Sequence, residues 1–215
     1  MMTVRDAAIH MRRSITVLLL VAVLFTASCQ KYMEFRLFSA VSIRDKMQHT
    51  CSGKEIYSLL QEMQSFPVKE RNASVFEDGY GDGRTYGGER THEGIDIMSL
   101  SGKRGELTVC SVSEGVVEKL GWLPLGGYRI GIRSPQGYYF YYAHLDKYAS
   151  GLAEGKKVRA GQSLGLMGDT GYGKEGTRGK FPVHLHFGIY RSRNGSEKSL
   201  NPYYFLLYLQ KHGYR

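Results

Sequence analysis

The sequence predicts a mainly β protein: an antiparallel β-sandwich or barrel-like domain with a short N-terminal helical spacer before it and a C-terminal helix at its end. Three observations predict it. The 215 residues hold 27 Gly and 16 Tyr against only 5 Pro, a composition of tight turns and tyrosine-bearing strands. From residue 75 to 200, short β-branched or aromatic runs alternate with Gly-containing turns, as in "GVVEKLGW", "YRIGIRS", "GYYFYYAHL", "KKVRAGQSLGLMG" and "VHLHFGIY". Helical periodicity is confined to one segment on each side of them. With 42% hydrophobic and 23% charged residues, a chain of this length holds one domain with a sizeable core plus a small appendage.

Residues 1–29 come first. "MRRSITVLLLVAVLFTASCQ" has a basic start at Arg12 and Arg13, an apolar run from Ile15 to Ala27, and small residues leading to Cys29. The run is shorter than the roughly 20 residues that span a bilayer, which favours an export signal and hence an envelope location. Small residues before Cys29 resemble a bacterial lipobox, although Thr26 stands where Leu is usual. Lipoprotein signal, secretory signal peptide and uncleaved membrane anchor all stay open. Exported chains can form disulfides, so Cys51 and Cys110 are either a bridge or, as the apolar strand pattern around Cys110 favours, separate thiols with Cys110 buried.

Residues 30–74 read as the helical spacer. In "SGKEIYSLLQEMQSFP", Ser52 and Glu55 form a capping box, Ile56, Leu59, Leu60 and Met63 share one helix face, and Pro67 ends the helix. The polar face is not strongly basic, so the apolar stripe is expected to pack on the following domain instead of a membrane. At the other end Asn201 caps a second helix, Pro202 takes its first turn, Phe205, Leu206 and Leu209 form its buried side, and Gly213 stops it. The domain between and including that helix is expected to run over 75–215.

The net charge of +9 favours an anionic partner, but Lys and Arg are spread along the chain. No zinc-finger, ribonucleoprotein or helix-turn-helix pattern is present, which argues against nucleic acid as the partner. "EGKKVRAGQSLGLMG" with "EGVVEKLGW" resembles the lipoyl carrier fold, yet no tight turn displays a modifiable lysine.

The histidines carry the chemistry. In "PVHLHFGIY", His184 and His186 are two residues apart, so on a strand both point to one face while Leu185 and Phe187 point to the other. In "RTHEGIDIM", an extended chain sets His92, Gly94 and Asp96 on one face, with Ile95 and Ile97 alternating against them. Imidazole and carboxylate are zinc-type ligands, and a catalytic zinc takes three protein ligands and leaves one position open. His92 and Asp96 supply two; a histidine of the H-x-H strand can supply the third. His144 is expected to share a strand face with Phe140 and Tyr142. Glu93 reads as a solvated charge; Asp146 and Asp169 read as turn residues, or as partners that orient an imidazole. Arg129, Arg133 and the "GYYFYY" tyrosines pair across strands or line a groove for an anionic peptide.

Taken in order, "RTHEGIDI", "GVVEKLGW", "YYAHL", "VRAGQSLGLMGDTG" and "HLHF" resemble the lysostaphin/LytM-type zinc metalloendopeptidases, from about Arg84 to Pro202. The resemblance implies a peptidoglycan hydrolase with one Zn²⁺ per chain held by His92, Asp96 and His186. It implies that His144 and His184 are unligated catalytic histidines, and that the substrate is a cell-wall peptide. Val183 before the H-x-H pair and Gly188 after it depart from the family's usual Gly-Pro and Glu, and "GYGKEGTRGK" is longer than usual; all five functional positions are intact. Some relatives act instead as noncatalytic wall-binding regulators of other hydrolases, which gives the alternative reading. The sequence leaves the scissile bond and the oligomeric state open.

Overall fold

The computed structural model describes residues 51–193 and 195–212, with positions 43, 46 and 47. The expected N-terminal signal or anchor of residues 1–29, with Cys29, and the expected helix stop at Gly213 lie outside the described residues. Among the described residues, no helix is long and apolar enough to cross a membrane.

Helix α1 spans Gly53–Glu62, and its capping box forms as its sequence predicts, with the Ser52 and Glu55 side chains each meeting the other's backbone N–H. Ile56 and Leu59 are buried. The helix sits on the β domain through polar contacts as well: Arg191 donates to Glu55 at 2.7 Å, and the Gln136 backbone N–H donates to Glu62 at 2.7 Å. A short 3₁₀ turn, Arg71–Ala73, leads into the strands.

The strands are β1 (Ser74–Phe76), β2 (Gly83–Arg84), β3 (Arg90–Thr91), β4 (Ile95–Ser99), β5 (Thr108–Cys110), β6 (Gly115–Leu123), β7 (Gly127–Arg133), β8 (Tyr138–Tyr148), β9 (Lys157–Val158), β10 (Ser163–Met167), β11 (His184–Arg193) and β12 (Ser196–Leu200). Helix α2, Tyr203–His212, closes the described chain; Asn201 caps it by accepting from the Tyr203 N–H at 2.9 Å, and Phe205, Leu206 and Leu209 are its buried residues.

Ten strands form one antiparallel sheet with the main order β1-β4-β11-β8-β7-β6-β9, and β2 pairs with β3 in a separate hairpin. The sheet is open, not closed into a barrel. Its alternation follows the period-2 rule: Ile95 and Ile97 of β4, Ile130 and Ile132 of β7, Phe140 and Tyr142 of β8, and Leu185, Phe187 and Ile189 of β11 all face the core with no exposed area. Phe140 and Phe187 stack with centroids 6.4 Å apart. Each such side chain contributes about 1.5–3 kcal/mol by leaving water. Cys110 is a buried free thiol with its pKa pushed up to about 11 by burial, so the disulfide alternative is not realised.

Strand β8 changes partner along its length. Tyr138–Ala143 pair with β11 on one side, whereas Leu145–Tyr148 pair with β10. The switch falls on His144, whose φ is +64°.

Candidate metal centre

Register brings distant residues together. β11 lies between β4 and β8, with His186 directly opposite Asp96 on one neighbour and Ala143 on the other. Side chains opposite one another in a sheet share a face, so the His186 imidazole and the Asp96 carboxylate emerge side by side although 90 positions separate them. The single extended strand expected through His92 is not formed: β3 ends at Thr91, residues 92–94 turn, and β4 begins at Ile95. His92 reaches the same place from that turn. Its backbone N–H donates to Asp82 O and its carbonyl accepts from Gly81, both at 2.8 Å. Gly94 makes the approach possible, because a Cβ there would lie 2.5 Å from Phe187 O and 2.8 Å from the His186 ring.

Three ligand-type atoms converge. His92 Nε2 lies 3.0 Å from Asp96 Oδ1 and 2.9 Å from His186 Nδ1, and His186 Nδ1 lies 3.0 Å from Asp96 Oδ1. Two lone-pair nitrogens and a carboxylate oxygen at such spacing repel unless a cation or a shared proton lies among them. A tetrahedral ion with ligands at about 2.0–2.1 Å spaces them about 3.3 Å apart, so the triangle needs to open only slightly to hold one. His92, Asp96 and His186 can therefore hold a metal ion. Two outer contacts fix the triangle. His92 Nδ1 lies 2.8 Å from Gly79 O and 2.9 Å from Arg84 Nη2; with the proton on Nδ1 it donates to Gly79 O, and Nε2 is then the lone-pair nitrogen. Arg84 Nη2 donates to Asp96 Oδ2 at 3.0 Å, so Oδ1 is the oxygen turned to the imidazoles.

His144 and His184 stand beside this triangle, their ring centroids 4.7 Å apart. His144 is not on the face of Phe140 and Tyr142, as simple alternation predicts. One residue of β7, Arg129, faces two of β8, Ala143 and His144, between the pairs Tyr128–Leu145 and Ile130–Tyr142. This bulge, with the left-handed backbone at His144, turns its ring to the cleft side where Tyr141 and Ala143 lie. Each ring is oriented by the backbone: His144 Nδ1 donates to Thr170 O at 2.8 Å and His184 Nδ1 to Pro182 O at 2.7 Å. Both Nε2 atoms therefore carry lone pairs, and that of His184 is 3.7 Å from Asp96 Oδ1.

Burial opposes charge on Asp96, but its close contacts with His186 and His92 and the nearby His184 hold its carboxyl far below the usual carboxylate range. Burial pushes the His144 imidazole well below the usual range, helped by His184 and His186. Burial likewise lowers His184 and His186. An imidazole kept neutral in the folded chain takes up a proton on unfolding once the pH falls below about 6.5, so acid favours the unfolded state. The metal-free protein is thus expected to lose stability from pH 7 to pH 5, by up to about 1.4 kcal/mol per pH unit for each such imidazole. Asp96 adds a loss in the same direction only below about pH 4. Thermal unfolding in chelator across this range checks it; a flat profile contradicts it.

The triangle and the two histidines form the floor of an open cleft of about 660 Å³. Residues that periodicity does not reveal make its rim. Phe181 packs between the His144 and His184 rings at 4.5 and 5.0 Å. Tyr172 follows at 4.8 Å from Phe181, and Tyr86 stacks on Tyr172 at 4.1 Å. Arg84 and Arg90 also line the cleft. Glu93 is exposed, as expected, at the cleft edge. Asp146 and Asp169 orient no imidazole: Asp146 binds Arg178, and Asp169 accepts from the Gly179 N–H at 3.1 Å, so both anchor the loop that carries Tyr172 and Phe181. Arg133 pairs with Glu118 and Glu197 away from the cleft, whereas Tyr141 of the "GYYFYY" run lines it.

Comparison with known proteins gives consistent matches. The model of peptidase family M23 matches residues 90–202. The L-Ala–D-Glu endopeptidase of Bacillus subtilis (strain 168) is 42% identical over 151 residues, which is 70% of this chain and 45% of that protein, so the chain spans about half the length of this curated relative. A crystal structure of a candidate glycyl-glycine endopeptidase LytM from Ruminococcus gnavus superposes with a TM-score of 0.65 at 44% identity, over 72% of this chain and 63% of that one. The antimicrobial peptidase lysostaphin from Staphylococcus simulans superposes with a TM-score of 0.52 at 28% identity, over 71% and 56%.

Proposed function

Because the chain belongs to peptidase family M23, whose model covers more than half of it, we propose that it is a zinc-dependent endopeptidase hydrolysing peptide bonds of bacterial peptidoglycan. The observation that carries this reading is the meeting of His92, Asp96 and His186 within 2.9–3.0 Å beside two buried neutral imidazoles. In this proposal those three residues hold one Zn²⁺ per chain through Nε2, Oδ1 and Nδ1. When bound, Zn²⁺ supplies Lewis acidity that polarises a carbonyl and lets water ionise near neutral pH. His144 and His184 do the proton work. Their Nδ1 protons are committed to Thr170 O and Pro182 O, so their Nε2 lone pairs are free to accept the proton of the attacking water. Once protonated, the same Nε2 can donate to the oxyanion and then to the departing amine, which completes the proton balance.

Similarity to the Bacillus L-Ala–D-Glu endopeptidase makes that bond the first to test. We place the activity in residues 75–215, behind the helical spacer of 30–74, and assign the protein to the cell envelope through residues 1–29, as a lipoprotein, a secreted protein or an anchored one. Presence of all five residues favours an enzyme over the noncatalytic regulator. Incubation with purified peptidoglycan is expected to release new amino termini, to stop with chelator and to resume with Zn²⁺. Tight binding of about one Zn²⁺ without any release would support the regulator; no metal binding would remove both.

A further inference from the structure

The cleft contains a cation without a counter-ion. Arg90 and Arg84 face each other across the β2–β3 hairpin, but their surroundings differ. The Arg84 guanidinium is engaged by Asp96 at 3.0 Å and lies 2.9 Å from His92 Nδ1. Among the described residues, Arg90 makes one hydrogen bond, from Nη2 to the Tyr172 hydroxyl at 3.3 Å, and its buried Nε has no partner. Among the described residues no carboxylate pairs with it. A guanidinium presents five donors in a planar fork that fits a carboxylate, and leaving such donors unmade near a buried surface is costly. Arg90 lines the cleft, and Tyr172, which it holds, lies 6.3 Å ring to ring from His144. The unfilled cation therefore stands in the same cleft as the histidine pair, with the Tyr172 side chain between them.

We propose that Arg90 is a specificity-determining residue that binds a free carboxylate on the substrate residue flanking the cleaved bond, so that the enzyme selects an acidic peptide over an uncharged one. This rests on the endopeptidase reading above. A glutamate has two carboxyl groups, and the next amide bond consumes one of them; the other stays ionised beside the chain. A glycine bridge offers no such group. Tyr172 lines the cleft and orients the guanidinium, and Tyr86 backs it from outside by stacking on its ring and donating from its hydroxyl to Tyr172 O at 2.9 Å.

The test uses the full chain loaded with Zn²⁺ and two peptides, L-Ala–γ-D-Glu–L-Lys–D-Ala and its counterpart with the free α-carboxylate converted to the carboxamide. Cleavage and direct binding are both measured for the wild type, Arg90→Gln and Arg90→Lys. For the wild type, kcat/KM and affinity are expected to favour the carboxylate peptide at least about tenfold, the worth of a charge-assisted pair. Arg90→Gln is expected to bring both ratios near one by losing the carboxylate peptide alone, with zinc content unchanged, and Arg90→Lys to restore part of the preference. Equal treatment of the two peptides by the wild type, or a preference that survives in Arg90→Gln, overturns the proposal. Carboxylate-selective binding without cleavage of either peptide or of peptidoglycan would uphold the Arg90 site and sink the endopeptidase reading.

Discussion

Under the proposed function, replacing His186 with alanine is expected to abolish tight Zn²⁺ binding and to lower peptidoglycan cleavage by at least about 10³-fold, the loss that several kcal/mol of transition-state stabilisation represents. His186 Nδ1 is one corner of a triangle with sides of 2.9–3.0 Å, and its removal leaves only the His92 and Asp96 corners of it. Two ligands in an open cleft hold an ion far less well than three. The Asp96 carboxylate also loses a hydrogen bond that stabilises its charge, so the metal-free variant is expected to unfold at a lower temperature than the metal-free wild type. Elemental analysis after gel filtration reads the first effect and amino-terminus release reads the second. One retained Zn²⁺ per chain in the variant would exclude His186 as a ligand.

Replacing His144 tests whether the proposed proton transfer can be separated from the proposed metal binding. His144→Asn is expected to lower kcat by about 10²–10⁴-fold, the usual worth of a positioned acid–base group, while Zn²⁺ stays at one per chain. Asparagine suits the position because the backbone there is left-handed, with φ of +64°, a conformation that Asn tolerates better than Ala. His144→Gly, which has no steric penalty at that φ, serves as the folding control. Unchanged kcat in both variants would remove His144 from the chemistry.

Much of this arrangement is written in short-range pattern. The H-x-H strand, the Ile95–Ile97 alternation and the α1 capping box each follow from the geometry of a single element, and each forms as that geometry requires. His144 shows where such reasoning stops. Its parity along β8 is reversed by a bulge whose other half is the lone Arg129 on β7, and no local period encodes a neighbour's missing residue. The same holds for His92, which reaches the triangle from a turn steadied by Gly79, Gly81 and Asp82 instead of from a strand. Arg84, Arg90, Tyr172 and Phe181 lie on a hairpin and a loop without periodicity, and only tertiary packing brings them to the rim. β12 is too polar, as "SEKSL", to stand out as a strand; it forms because β11 offers it an edge from Ile189 to Arg193.

The place of β11 in the sheet has a bearing on synthesis. It is the strand that joins β4 to β8, yet it begins only at residue 184, after both of them have been made. A nascent chain emerging from the ribosome therefore carries two halves of a sheet with no seam between them. A fragment that ends before that seam lacks His186, the third corner of the triangle with His92 and Asp96, so under the proposed function a prematurely terminated copy is expected to hold no ion and cleave nothing.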